Sequence, residues 1–158
     1  MSTLKVGTIQ DHANSNTAIT IDSAGRVLKP VIPYGQASSG VVTNANNIIQ
    51  LTANVISGGG LTVDQTNERM IVPVAGLYAI GFSQLTDSTS ANTEVYMRKN
   101  GNQILGTSSQ THAGNDYDNL SCHFLITLAA NDYIDWYVAA GVTHNNTGYN
   151  SHYVYLLG

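Results

Sequence analysis

The sequence predicts an all-β domain, a sandwich or barrel of antiparallel strands, over most of its length. Three observations carry this. Apolar residues recur at every second position in one run after another, the period of a half-buried strand. Clusters of Gly, Asn, Asp and Ser punctuate the runs where turns belong. Nine tyrosines, together with many Val, Ile and Thr residues, supply the side chains that pack best on a pleated surface. No segment carries the apolar spacing of a helix. At 158 residues the chain suits one domain with a short appendage.

The first thirty residues form that appendage. Leu4 to Ile9 alternates, DHANSN is a turn cluster, Thr17 to Ile21 is a second short strand, DSAGR a tight turn and Val27-Leu28 a third strand. So little apolar surface does not fold alone, and the segment must pack on something else. Pro30 and Pro33 bracket a junction, since proline restricts its own backbone and that of the residue before it. Residues 1–32 are therefore expected to be an attachment segment, and 33–158 the main domain.

In that domain strands are expected at 31–34, 47–52, 70–72, 76–85, 94–99, 103–106, 121–128, 133–138 and 151–157. SGGG at 57–60, DSTSANT at 87–93, KNGN at 99–102, SSQTHAGNDYDN at 108–119, AAND at 129–132 and AAGVTHNNTG read as connections. Alternation assigns faces. Tyr78, Ile80 and Phe82 share one side of their strand, and Val95 and Met97 oppose Tyr96 and Arg98. Cys122, Phe124, Ile126 and Leu128 line one face. Ile134, Trp136 and Val138 point inward, which leaves Tyr133, Asp135 and Tyr137 outward. Outward tyrosines on one sheet read as an interface.

Composition narrows the function. Charged residues are 10% of the chain, against roughly 25% in an ordinary domain, so the surface is built from neutral hydrogen-bonding groups. The net charge is −4, and Lys5, Arg26, Lys29, Arg69, Arg98 and Lys99 form no cluster. Nucleic acid is not expected as a partner, because its binding needs clustered cations. The single cysteine, Cys122, allows no intrachain disulfide and reads as a buried thiol. No apolar run reaches the ~18 residues of a membrane helix and none resembles a secretory signal.

The run VPVAGLYAIGF at 72–82 resembles the signature of the C1q head, a branch of the tumour-necrosis-factor-like (TNF-like) jelly rolls, where an apolar-Pro-apolar-x-Gly-Leu-Tyr run enters a central strand. SGGGLTVDQTNERMIV at 57–72, MRKNGNQI at 97–104, LAANDYIDWYV at 128–138 and SHYVYLLG at 151–158 are similar to further family motifs in the same order. Two positions depart from the pattern. Asn131 stands for a glycine, though Asn tolerates the same left-handed turn, and Val154-Tyr155 stand where the last strand has a glycine. The resemblance spans about residues 45–158. It implies a C1q/TNF-like jelly-roll sandwich and a homotrimer about an axis lined by one sheet. The first thirty residues, with Leu4-Lys5-Val6 and AITIDSAGRV, resemble N-termini of appendage proteins of tailed phages of the cyanophage type.

Together these readings give the expected function. The chain is expected to be a structural protein of a phage virion, made in the host cytoplasm, not an enzyme. Its residues 1–32 attach to other virion proteins and its trimeric head binds host surface or polysaccharide. The alternatives are a trimeric capsid decoration protein and a secreted bacterial C1q-like lectin or adhesin. A glycan-cleaving enzyme stands behind both, because no catalytic motif marks the chain. Tyr133, Tyr137, Tyr153, Tyr155 and Leu157 are the expected trimer interface. Asp116, Tyr117, His144 and Tyr149, in two polar tyrosine-bearing loops, are the expected recognition residues. Asp116 and Asp118 are the candidates for calcium. Two carboxylates fall short of the roughly six to eight oxygens calcium takes, so no cofactor is expected. His12, His112, His123, His144 and His152 show no metal-ligand spacing.

Overall fold

The computed structural model describes residues 8–10, 17–28, 32–87, 92–112 and 117–158. The chain forms two compact units, Met1–Ile32 and Pro33–Gly158. The first is an antiparallel sheet of β1 (Thr8–Gln10), β2 (Thr17–Ile21) and β3 (Val27–Leu28) in that spatial order. The Asp22 carboxylate shapes its second turn. It accepts hydrogen bonds from the amides of Ala24 and Arg26, both at 2.9 Å, and pairs with Arg26 Nε at 2.6 Å. The Arg26 amide above all holds this carboxyl below its usual range. Ile9 and Ile21 stand exposed on this unit.

The second unit begins with β4 (Tyr34–Ser38), β5 (Thr43–Asn44), β6 (Asn47–Ile48), β7 (Ala53–Gly58), β8 (Thr62–Asp64) and β9 (Arg69–Ile71). It continues through β10 (Gly76–Leu85), β11 (Glu94–Lys99), β12 (Asn102–Gln103), β13 (Ser109–Gln110) and β14 (Asn119–Leu128). It ends with β15 (Tyr133–Ala140), β16 (Val142–Thr143) and β17 (Ser151–Leu156). One sheet has the order β14-β10-β17-β4-β7. The other runs β12-β11-β15-β9-β8, with β13 on β11 and β6 on β15, and β16 pairs β5 separately. From β9 to β10, β11, β14, β15 and β17, the long strands alternate between the sheets. Each connection therefore crosses the end of a sandwich, and the last strand returns between β10 and β4.

The inward faces meet in one core. Tyr78, Ile80 and Phe82 from β10 pack with Val95 and Met97 from β11, Ile134, Trp136 and Val138 from β15, and Val154 from β17. Each such side chain contributes about 1.5–3 kcal/mol by leaving water, which is why strict alternation survives here. The Tyr78 hydroxyl reaches this depth because it donates to the Val74 carbonyl at 2.8 Å.

Three departures from the sequence reading have physical causes. Residues 49–52 are not strand. They carry the chain from β6 in one sheet to β7 in the other, and Ile49 and Leu51 are buried in the crossing. β7 itself lies where a connection was expected. It is an edge strand with Val55 and Ile56 exposed and Asn54 at φ +50°, so its alternation is broken. Asp135, expected outward, does face away from the core. It is nevertheless buried, because Arg98 Nε lies over it at 2.5 Å, and burial raises its carboxyl more than Arg98 lowers it.

Gly141 closes the turn between β15 and β16 at φ +72°. A Cβ there would collide with the Thr93 hydroxyl and lie 2.6 Å from Thr93 Cα and 2.8 Å from the Asn92 carbonyl. Gly141→Ala is expected to destabilise the fold by about 2–3 kcal/mol, from left-handed strain plus overpacking. A chemical denaturation midpoint equal to that of the unaltered chain would contradict this.

Candidate functional site

Charge divides the two sheets. The strands β14, β10, β17, β4 and β7 contain no Asp, Glu, Lys or Arg. Asp64, Arg69, Glu94, Arg98, Lys99 and Asp135 all lie on strands of the other sheet. The uncharged sheet turns one face to the core, and its second face exposes apolar and aromatic side chains among neutral polar ones. Register places Leu125, Ala79, Tyr155 and Tyr34 in one row across four strands. His123, Gly81, Tyr153, Gln36 and Ile56 form the next row. Leu125 is 59% exposed and Ile56 54%, with Leu77, Tyr155 and Leu157 also in solvent. Tyrosines flanking Ala79 leave a cavity of about 440 Å³ over the centre.

Tyr153 is held on this face by His123. The phenol oxygen lies 2.8 Å from His123 Nδ1, and the rings stack with centroids 5.9 Å apart. The pair crosses over Gly81, where a Cβ would lie 2.7 Å from the Tyr153 oxygen and 2.8 Å from the Cys122 carbonyl. Only glycine admits this arrangement. Burial pushes the Tyr153 phenol up from its ordinary pKa.

The five residues expected to line one axis are not brought together. Tyr153, Tyr155 and Leu157 belong to the exposed face just described. Tyr133 and Tyr137 lie on β15, in the opposite sheet, where Arg69 and Arg98 stand over their rings at 4.7 and 4.3 Å. Tyr96 also packs on Tyr137, with centroids 5.4 Å apart. Tyr133 thus has a cationic partner within the chain, and Tyr137 a cationic and an aromatic one.

The two tyrosine-bearing loops do converge. Tyr117 precedes β14, Tyr149 precedes β17 and His144 follows β16. With Leu85 and Asn146 they line a groove of about 500 Å³. Tyr117 sits at φ +60°, and its ring meets His144 edge-on with centroids 5.2 Å apart. Asp116, the fourth expected recognition residue and one of the two calcium candidates, lies outside the described residues. The main-chain carbonyl of Asp118 accepts the Thr86 amide at 2.8 Å. Among the described residues no three His, Cys, Asp or Glu side chains stand close enough together to hold a metal ion.

One buried residue positions this groove and escaped the sequence reading. Asn150 accepts the Leu85 amide at 2.9 Å and donates to the carbonyls of His144 at 2.8 Å and Ser39 at 3.0 Å. It ties three segments together in the interior. An Asn in an Asn-rich loop carries no sign of that role in the sequence.

No family model and no curated protein matches this sequence. Among solved structures, that of Eiger TNF from S. frugiperda is similar, with a TM-score of 0.63 over 81% of this chain and 92% of that one. The second unit is a TNF-like jelly roll. The two chains are 10% identical, so the likeness is one of fold.

The two ends of the jelly roll differ. The chain enters it at Pro33, whose carbonyl accepts the Leu156 amide at 2.9 Å, and leaves at Gly158, whose carbonyl accepts the Leu77 amide at 2.8 Å. Both lie at the end where Gly76 pairs Leu128. The groove lies at the other end, where Leu85 pairs Asn119 and Ser83 pairs Ser151. The ten residues of β10 separate these ends by about 30 Å.

Proposed function

We propose that this chain is a trimeric structural protein of a phage virion. Its jelly-roll head assembles through the uncharged sheet, residues 1–32 attach it to other virion proteins, and the groove is presented to the host surface. The exposed face of β14-β10-β17-β4-β7 carries this reading. Five strands without one charged residue, bearing Leu, Ile and Tyr side chains in solvent, have the composition of an interface core. Tyr153, Tyr155 and Leu157 lie within it. The resemblance of residues 1–30 to phage appendage N-termini supports the attachment role, as do the exposed Ile9 and Ile21. The groove's position, at the end of the head away from Pro33, favours an appendage tip over a shell decoration. Binding needs no catalytic group, and the head is read as non-enzymatic.

The full chain is expected to have the native mass of three 16.8 kDa copies at micromolar concentration. A monomer under those conditions would overturn the assembly. Proteomics of purified particles checks the virion role, and absence of the chain from them would overturn that part alone.

A further inference from the structure

We infer that the distal groove binds an uncharged saccharide, with Tyr117 and Tyr149 as the stacking surfaces and His144 and Asn146 as the polar contacts. This rests on the reading of the head as a host-binding module and names the ligand class its groove would take. Leu85, Tyr117, His144, Asn146 and Tyr149 line it, with no Asp, Glu, Lys or Arg among them. Its volume, about 500 Å³, falls in the roughly 300–1,000 Å³ range of small-molecule sites.

The aromatic rings are offered to solvent. Tyr117 is 57% exposed and Tyr149 61%. A bulky residue at φ +60° is a strained backbone, and such strain persists where surrounding structure holds a side chain in one place. The edge-on His144 contact does that for the Tyr117 ring.

The polar groups are oriented as well. His144 Nδ1 accepts the Asn146 amide at 3.1 Å, which assigns the neutral ring proton to Nε2 and makes that nitrogen a donor. Asn146 Oδ1 accepts the Gly148 amide at 2.9 Å, so the side-chain NH2 remains to donate. Two phenols add groups that both donate and accept. A pyranose matches this set. Its C–H face lies on an aromatic ring, and its hydroxyls accept from the imidazole and amide N–H groups. A phosphate or carboxylate ligand would need a fixed cation, and the described lining residues supply none. A nucleic acid is disfavoured for the same reason.

The test uses the full chain and saturation-transfer NMR. The probes are methyl glycosides of glucose, galactose, mannose and N-acetylglucosamine, with N-acetylneuraminic acid as the anionic control. At least one neutral glycoside is expected to receive saturation at its ring C–H protons. Tyr117→Ala and Tyr149→Ala are each expected to weaken its binding by about tenfold or more, the scale of losing one aromatic stacking contact. Native mass and melting temperature are read on the same samples. Tyr149 lies in a turn with its ring in solvent, so Tyr149→Ala keeps the test valid if Tyr117→Ala misfolds. Failure of every neutral glycoside to bind would overturn the inference. So would wild-type binding by folded variants, or stronger binding of N-acetylneuraminic acid. A monomer that binds sugar sinks the trimer and spares the groove; a trimer that binds none does the reverse.

Discussion

Tyr155→Glu is expected to convert the proposed trimer to monomers at micromolar concentration while leaving each copy folded. Tyr155 points away from the core, between Ala79 on one neighbouring strand and Tyr34 on the other. The substitution therefore removes nothing from the interior. In the assembled state it would place a carboxylate from each copy on a face whose strands supply no cation. Burying an unpaired charge costs several kcal/mol per ion, and the threefold repeats that cost in each protomer. The far-UV circular dichroism spectrum should be unchanged and the native mass should fall to 16.8 kDa. Leu105→Glu serves as the control, since Leu105 is 83% exposed in a turn off that sheet, and it should stay trimeric. A Tyr155→Glu protein that remains a trimer would remove this face from the interface.

The second large effect is acid destabilisation through His152. This ring is fully buried between Ala37 and Phe82, and its centroid lies 5.0 Å from that of Trp136. Neither ring nitrogen closes a hydrogen bond of good geometry, although the Ala37 backbone lies beside it, and Trp136 Nε1 nearby is also without a partner. Burial depresses the imidazole to about 3 from an ordinary value of 6.5. Between those values the unfolded chain binds a proton that the folded chain refuses. Stability is therefore fully present above pH ~6.5 and falls with pH by about 1.4 kcal/mol per unit, for a total of roughly 4–5 kcal/mol near pH 3.

The lowered carboxylates act only in the lower part of this range. Asp64 is held low chiefly by Asn67, and Asp132 by Lys99 and Asn100 against the opposing pull of burial. Both steepen the loss below pH ~4. Asp135 and Glu68, raised by burial, work the other way. Melting curves from pH 7 to 4 should show a steep decline. His152→Leu, which fills similar space with no orphan nitrogen, should flatten that decline and leave stability at pH 7 nearly unchanged. An equal pH slope in the two proteins would exclude His152 as the acid-sensitive group.

Much of the fold was legible because one face of each long strand is buried. Tyr78, Ile80 and Phe82, or Ile134, Trp136 and Val138, must alternate with outward residues, and any slip would turn them into water. The signal faded where that constraint is absent. β7 sits at a sheet edge with both faces partly in solvent, so Val55 and Ile56 follow one another without period. Ile49 and Leu51 are apolar because they are buried where the chain crosses the sandwich, while Gln50 and Thr52 between them mimic the alternation of a strand. The turn residues carried their own meaning: Asn131 lies at φ +70°, the left-handed conformation expected of the residue standing for glycine.

The candidate sites were legible in composition and illegible in arrangement. Tyr117, His144 and Tyr149 could be singled out as an Asn- and Tyr-rich recognition set, and they do meet. Their meeting depends on Asn150, which draws Leu85, His144 and Ser39 together from distant parts of the chain. Alternation likewise marks Tyr133 and Tyr137 as outward, and the closing strand offers Tyr153 and Tyr155, without saying which sheet each one faces from.

The sequence by itself determined the all-β class, the inward set of each long strand and the neutral surface, because these follow from local period and composition. The tertiary structure alone decided which strands share a sheet. That pairing gathered five uncharged strands on one side and left Tyr153 and Tyr155 on an open apolar face, while Tyr133 and Tyr137 lie opposite beneath arginines. The physical reason is that strand neighbours are chosen by hydrogen bonds and core packing between residues far apart in the chain. A period of two carries no record of its partner.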